Sequence, residues 1–281
     1  MNKTINNRPT TRNVFIDGVE LKIAVREGSK KYTPLLFCNG IGANLELLNG
    51  FIEILNPEIG TISFDVPGIG GSPTPLFPYR MSWLADLLAK LLDKLGIEQV
   101  TTLGISWGGA LAQEFTHRHP NRSVKLILAA TSAGMAMVPG NPSVLIKMAT
   151  PLRYLKPSYM MEIAPQIYGG KIAKNPDLLL TLAKDMKMNG SLGYFWQLLA
   201  GLGWTSIHWL FTLKQPALVM AGDEDPIVPL INAKILSSLI PNAKLEVFEG
   251  GGHMFMATSK EEAAELVEQF IITPIEDLIK K

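Results

Sequence analysis

The chain has 281 residues, 47% of them hydrophobic and 18% charged, and 26 Lys and Arg against 25 Asp and Glu leave a formal charge of +1. High apolar content with almost no net charge excludes a disordered chain, and the absence of any basic run beyond Lys30-Lys31 and Lys280-Lys281 argues against a nucleic-acid groove. The lone Cys38 rules out an internal disulfide and a cysteine-based zinc site; this fits a reducing compartment, and a cytoplasmic location is expected.

The first residues, Met1 to Asn13, are polar and carry no signal-peptide pattern. Asn13 to Ile16 and Glu20 to Arg26, joined by Asp17-Gly18, predict a hairpin at a sheet edge. Short runs rich in Val, Ile and Leu then follow: Leu35 to Cys38, Thr61 to Phe64, Gln99 to Ile105, Val124 to Ala130, Ala217 to Ala221 and Lys244 to Phe248. Runs of this kind read as buried strands of a mostly parallel sheet with helices on both faces. The clearest crossover helix begins near Ser82, places Leu84, Leu87, Leu88, Leu91, Leu92 and Leu95 on one stripe, and stops at Gly96.

Between residues 133 and 212 the strand rhythm disappears, and Pro139, Pro142, Pro151, Pro157, Pro165 and Pro176 divide the segment into short helical pieces. A helical cap over residues 133–212, inserted into a core of residues 1–132 and 213–281, is therefore predicted. Two uncharged stretches, Leu126 to Ile146 and Met188 to Leu213, are long enough to test as membrane spans. Their many Pro, Gly and polar residues disqualify both, so no transmembrane segment is expected.

Gly104-Ile105-Ser106-Trp107-Gly108 follows an apolar strand and opens a helix. In that context the glycines permit a turn that lifts Ser106 above the sheet edge, beside the unpaired N–H groups of a helix N-terminus. A serine nucleophile needs a base, itself oriented by an acid. His117 and His119 lie ~17 Å along the helix that Ser106 begins, at ~1.5 Å per residue, too far to serve. His208 sits in the aromatic cap, which leaves His253 on Gly250-Gly251-Gly252 as the candidate base. Gly222-Asp223-Glu224-Asp225 offers carboxylates at the same edge; Asp225 is favoured as the acid, and Asp223 is assigned to bracing the turn. The loop Cys38-Asn39-Gly40-Ile41-Gly42 occupies the place of an oxyanion loop, with the backbone N–H groups of Ile41 and Trp107 as candidate donors. Gly68-Ile69-Gly70-Gly71 lacks the third glycine of a dinucleotide fingerprint, and no side-chain cluster has metal-ligand spacing, so neither cofactor nor metal is expected.

These motifs, together with Phe64 to Ser72 and Gly222 to Pro229, resemble the α/β-hydrolase superfamily over essentially the whole chain. Within it, Gly104 to Phe115, Leu126 to Gly140, Ile163 to Gly170 and Gly193 to Leu210 are similar to intracellular medium-chain poly(3-hydroxyalkanoate) depolymerases. The stretch Gly-Leu-Gly-Trp-Thr-Ser-Ile-His-Trp at 201–209 is the most distinctive, while Asn39 replaces a His common in the wider superfamily. The resemblance implies a serine ester hydrolase without cofactor, acting on a small lipophilic ester or a polyester; adsorption to polymer granules is expected from an apolar cap surface. A general carboxylesterase, a carbon–carbon bond hydrolase and a non-catalytic receptor are the alternatives on the same scaffold. The cap's seven methionines and its aromatic residues suggest an apolar acyl wall, with Asn39, Met135, Trp196, Trp204 and His208 as candidate substrate contacts.

Overall fold

The structure, a computed structural model, describes residues 8–150, 156–175, 177–178 and 191–279. Eight strands form one sheet in the order β1-β2-β4-β3-β5-β6-β7-β8. They span Thr10–Ile16 (β1), Val19–Arg26 (β2), Leu35–Cys38 (β3), Thr61–Phe64 (β4), Val100–Ile105 (β5), Ser123–Ala129 (β6), Ala217–Gly222 (β7) and Ala243–Phe248 (β8). β1 and β2 form the antiparallel edge hairpin, β2 pairs antiparallel with β4, and every further pairing is parallel. The parallel strands therefore all end along one carboxyl edge, where Asn39, Asp65, Ser106 and the loops after β7 and β8 emerge.

Helices cover both faces because the central strands bury residues on both. β3, β4 and β7 have no residue facing solvent. One face receives α1 (Met81–Leu95), α2 (Trp107–Arg118) and α7 (Leu230–Leu239), whose Leu84, Leu88, Leu111, Phe115 and Leu236 join Leu36, Leu126 and Val219. The other receives α8 (Lys260–Ile272) and the short turns at residues 45–52, where Phe51, Ile52 and Val267 pack on Phe37, Ile127 and Met220. α1 has the predicted leucine stripe and ends at Gly96 in the left-handed conformation, φ 67°, which lets its N–H reach back to Leu92 and Asp93.

Between β6 and β7 the described residues form helices, α3 (Pro142–Ala149), α4 (Pro157–Tyr168), α5 (Gly170–Lys174) and α6 (Ser191–Gly201), plus one isolated bridge from Gly134 to Thr205. Pro142 and Pro157 stand at helix starts, where a missing N–H costs nothing. Pro165 departs from expectation: it lies inside α4 rather than dividing it. Burial of Ile163, Ala164, Ile167 and Tyr168 in the cluster with Val144, Ile227 and Val228 offsets the hydrogen bond lost there. Pro151 and Pro176 lie outside the described residues. No helix among the described residues is long and apolar enough to cross a membrane.

Candidate active site

Ser106 sits between the end of β5 and the start of α2 with φ 53° and ψ −120°, a conformation that costs a non-glycine residue about 1–3 kcal/mol. The surroundings enforce it. The Ser106 N–H donates to Ala129 O at 2.9 Å, and Ser106 O accepts from Gly109 N at 2.9 Å and from Thr131 Oγ1 at 2.7 Å. Helix α2 approaches β3 backbone to backbone: a Cβ on Gly108 would stand 2.0 Å from Cys38 O, so only glycine fits. Trp107, the first residue of α2, has no intrahelical acceptor for its N–H.

The loop after β8 brings His253 to this serine. His253 Nε2 lies 3.0 Å from Ser106 Oγ, and His253 Nδ1 lies 2.7 Å from Asp225 Oδ2. His253 is 7% exposed and Asp225 6%, so this pair is shielded from water although Ser106 is half-buried. The Asp225 Oδ1 accepts from Ile227 N at 2.8 Å and Val228 N at 2.9 Å. Turn-bracing was expected of Asp223, but Asp225 performs it as well as facing the imidazole. Asp223 is exposed and its carboxylate makes no hydrogen bond among the described residues. The reason is the turn itself: only a carboxylate two residues before Ile227 can reach the N–H groups of 227 and 228. The His253 N–H donates to Tyr168 O at 2.7 Å, so the end of α4 holds the histidine loop.

The loop after β3 flanks the serine. A methyl on Gly40 would come within 3.7 Å of Ser106 Cβ. Asn39 is buried and spends its amide on this loop, donating to Asn44 O at 3.0 Å and accepting from Gly40 N at 3.2 Å. Beneath it, Asp65 accepts from Leu45 N and Gly71 N, each at 2.7 Å, and Ser72 Oγ donates to Asp65 O at 2.7 Å. Burial pushes the Asp65 carboxyl above its usual range, opposed by those backbone donors. The Gly68–Ser72 motif thus braces the loop after β3 from below, through Asp65. Burial also pushes the Cys38 thiol up, away from reactivity.

The structure separates the remaining candidates. Trp196 is half-buried on α6, its Nε1 donating to Pro75 O at 3.1 Å. Met135 is 63% exposed. Trp204 and His208 are not brought to Ser106. The Trp204 Nε1 donates to Glu114 Oε2 at 2.8 Å, roughly 10 Å along α2 from its start, and its ring packs edge-on against Trp209. Trp209 in turn stacks on His117 near the end of α2, and the exposed His208 meets its edge. These aromatics fasten the segment to the far half of α2, which no strand rhythm could reveal. His119 pairs with Asp86, whose carboxyl is held below its usual range chiefly by Arg118.

One residue escaped the sequence reading. Gln197 on α6 is fully buried, accepts from Gly42 N at 2.7 Å through Oε1, and its backbone carbonyl accepts from Trp107 Nε1 at 2.9 Å. A single amide on the inward Gly193–Ala200 face of an otherwise apolar helix was the available signal. Among the described residues no group of three or more His, Cys, Asp and Glu side chains converges as a metal site would require.

Comparison with known proteins gives a consistent picture. A poly(3-hydroxyalkanoate) depolymerase from Ectopseudomonas oleovorans is 52% identical over 260 residues, 92% of each chain. A 3-oxoadipate enol-lactonase from Acinetobacter baylyi is 29% identical over 79% of this chain and 82% of its own. The solved esterase EaEST from Exiguobacterium antarcticum superposes with a TM-score of 0.78 at 21% identity, over 92% of this chain and 97% of its own, a likeness of fold. A family model described as the alpha/beta hydrolase fold matches residues 33–168 and 164–259, and with the carboxyl-edge Ser106, Asp225 and His253 in their chain order the protein belongs to the α/β hydrolase fold family.

Proposed function

We propose that this protein is a serine ester hydrolase whose substrate is medium-chain poly(3-hydroxyalkanoate), with Ser106, His253 and Asp225 as its catalytic residues. The observation that carries the reading is the contact chain Ser106 Oγ to His253 Nε2 to Asp225 Oδ2, at 3.0 and 2.7 Å, on one sheet edge. The 52% identity to a depolymerase supports the substrate class. Ser106 Oγ attacks the ester carbonyl while its proton passes to His253 Nε2. The Asp225 carboxylate accepts the His253 Nδ1–H and stabilises the imidazolium. The backbone N–H groups of Ile41 and Trp107 receive the oxyanion. His253 then protonates the leaving alkoxide oxygen to give the free hydroxyl, and a water activated by the same imidazole releases the 3-hydroxyacyl group from Ser106.

Residues 133–212 act as a lid whose helix α6 forms one wall of the acyl site through Trp196 and Gln197. Its outward stripe, Leu192, Phe195, Leu198 and Leu202, is exposed near Leu76 and Phe77, which are 88% and 78% exposed. This apolar surface suits adsorption to polymer granules in the cytoplasm. Met135, exposed on the same segment, is assigned to that rim, while Asn39 supports the oxyanion loop without touching substrate. A carbon–carbon bond hydrolase would be favoured by polar or cationic groups lining the cap, of which the sequence offers chiefly Arg153, Lys156 and Lys171. Lys171 is held by Ser259, Lys156 is exposed, and Arg153 lies outside the described residues. The test is fluorophosphonate labelling followed by hydrolysis of amorphous medium-chain granules. Labelling confined to Ser106 with release of 3-hydroxy acids supports the reading; an unlabelled protein, or hydrolysis that survives Ser106→Ala, refutes it.

A further inference from the structure

The amide of Gln197 is half satisfied. Its Oε1 faces the Gly42 N–H, and since an N–H can face only an acceptor, that bond fixes which end of the amide is oxygen. Nε2 is buried with no hydrogen-bond partner. A buried donor left unpaired costs about 1–3 kcal/mol, and folds retain such groups where a ligand offsets the cost. The two amide heteroatoms share one carbon, so Nε2 lies beside the oxyanion loop. The same residue's carbonyl holds the Trp107 indole. Gln197 therefore touches the neighbours of both proposed oxyanion donors, one residue past Ile41 and on Trp107 itself.

Resting on the reading above, we propose that Gln197 is a positioning and specificity residue: Oε1 fixes the oxyanion loop, and Nε2 donates to an oxygen on the third carbon of the bound acyl group. In the proposed mechanism the scissile carbonyl oxygen is received by backbone donors of the loop after β3 and of the start of α2, and the leaving oxygen by His253. An acceptor for Nε2 must then come from the acyl chain. A plain fatty acyl chain offers none. A 3-hydroxyacyl unit carries one close to its carbonyl, and within a polymer that atom is the ester oxygen of the adjoining repeat. The site thereby distinguishes 3-oxygenated acyl groups from simple fatty acyl groups of equal length.

The experiment compares kcat/KM for p-nitrophenyl 3-hydroxyoctanoate and p-nitrophenyl octanoate in the wild type, Gln197→Glu and Gln197→Met. Gln197→Glu keeps an acceptor for Gly42 but loses the donor; Gln197→Met loses both. The wild type is expected to favour the 3-hydroxy ester, and that ratio should fall at least about tenfold in each variant, the weight of one hydrogen bond to substrate. In Gln197→Met, kcat should also fall for both esters, because the oxyanion loop loses its tie. A purely structural role would lower both substrates together and leave the ratio unchanged. A ratio within about twofold of the wild type in either folded variant overturns the proposal, as does a wild type that hydrolyses octanoate with no preference for the 3-hydroxy ester, and both results leave the esterase reading standing. A wild type that cleaves neither ester and resists fluorophosphonate overturns both.

Discussion

Helix α6 meets the core at a point where two backbones touch, and this makes Gly193 a sensitive place to perturb. A Cβ on Gly193 would stand 1.9 Å from Gly68 O and 2.4 Å from Gly68 C, where ordinary contact begins at 3.4 Å. Gly68 cannot yield easily, since its φ of +90° is fixed by N–H bonds to Ser72 O and Pro73 O. In Gly193→Ala the helix must therefore withdraw by about 1.5 Å at that turn. Gln197 is one helical turn away, so a shift of that size breaks its 2.7 Å bond to Gly42 N and the neighbouring Trp196 bond to Pro75 O. Overpacking of this kind costs about 1–3 kcal/mol, or several degrees in Tm at roughly 2–4 °C per kcal/mol. Displacement of the loop after β3, the proposed oxyanion loop, should lower kcat/KM by about a hundredfold, the penalty for misplacing a reacting group by about 1 Å. Gly201→Ala on the same helix is the control, because its Cβ would meet only Trp107 at 3.5 Å. It should be neutral, or stabilising by up to about 1 kcal/mol from helix propensity. Octanoate ester kinetics and thermal melts run on both variants settle the matter: wild-type Tm and kcat/KM in Gly193→Ala refute the account of α6 as a rigid wall.

Other consequences are checked as directly. Ser106→Gly should abolish esterase activity yet raise Tm by about 2–4 °C, since it releases the strain at φ 53°; a lower Tm in calorimetry contradicts the strained turn. Asp225→Asn should reduce kcat by about three to four orders of magnitude, while Asp223→Asn, at an exposed and unbonded carboxylate, should stay within about twofold; the reverse ranking would misplace the acid. Cys38 should resist iodoacetamide in the native protein and react only on unfolding, as followed by mass spectrometry. Lys125, buried and donating to the carbonyls of Phe270, Ile271 and Thr273, has its pKa pushed down to about 8 by desolvation. From about pH 8 to the unfolded lysine value near 10.4, the unfolded chain binds the extra proton, so stability should rise with pH across that window. Lys125→Met should flatten this rise in urea titrations.

The strands, the leucine stripe of α1 and the contacts among Ser106, Asp225 and His253 were readable because each depends on local pattern and chain order. Short β-branched-rich apolar runs bounded by turn residues read as buried strands, and parallel strands deliver their following loops to one edge. The segment between β6 and β7 resisted the same reading. Trp204 and His208 lie close in sequence to α6, yet the hydrogen bond to Glu114 and the stack of Trp209 on His117 draw them along α2 away from Ser106. Such side-chain pairings have no period to detect. Pro165 misled for a related reason, because a local rule about proline was outweighed by burial around it. The turn-bracing expected of Asp223 falls to Asp225 through turn geometry that a three-carboxylate sequence leaves open.

The junction of α4 and α5 reaches between the two loops that carry Asp225 and His253. Tyr168 O holds the His253 N–H, a Cβ on Gly169 would strike Glu224 O at 2.3 Å, and one on Gly170 would strike Gly252 N at 2.1 Å. This junction is therefore a strut between the loops that carry Asp225 and His253 rather than a free flap. Exchange of substrate preference between relatives is then constrained in a practical way. A transplanted segment that ends at residue 168 would arrive without the backbone surfaces it was shaped against, and the His253 imidazole would lose its support. The smallest transferable unit is discontinuous: the segment around 157–174 must travel with residues 223–229 and 250–254, so that specificity and chemistry are inherited together.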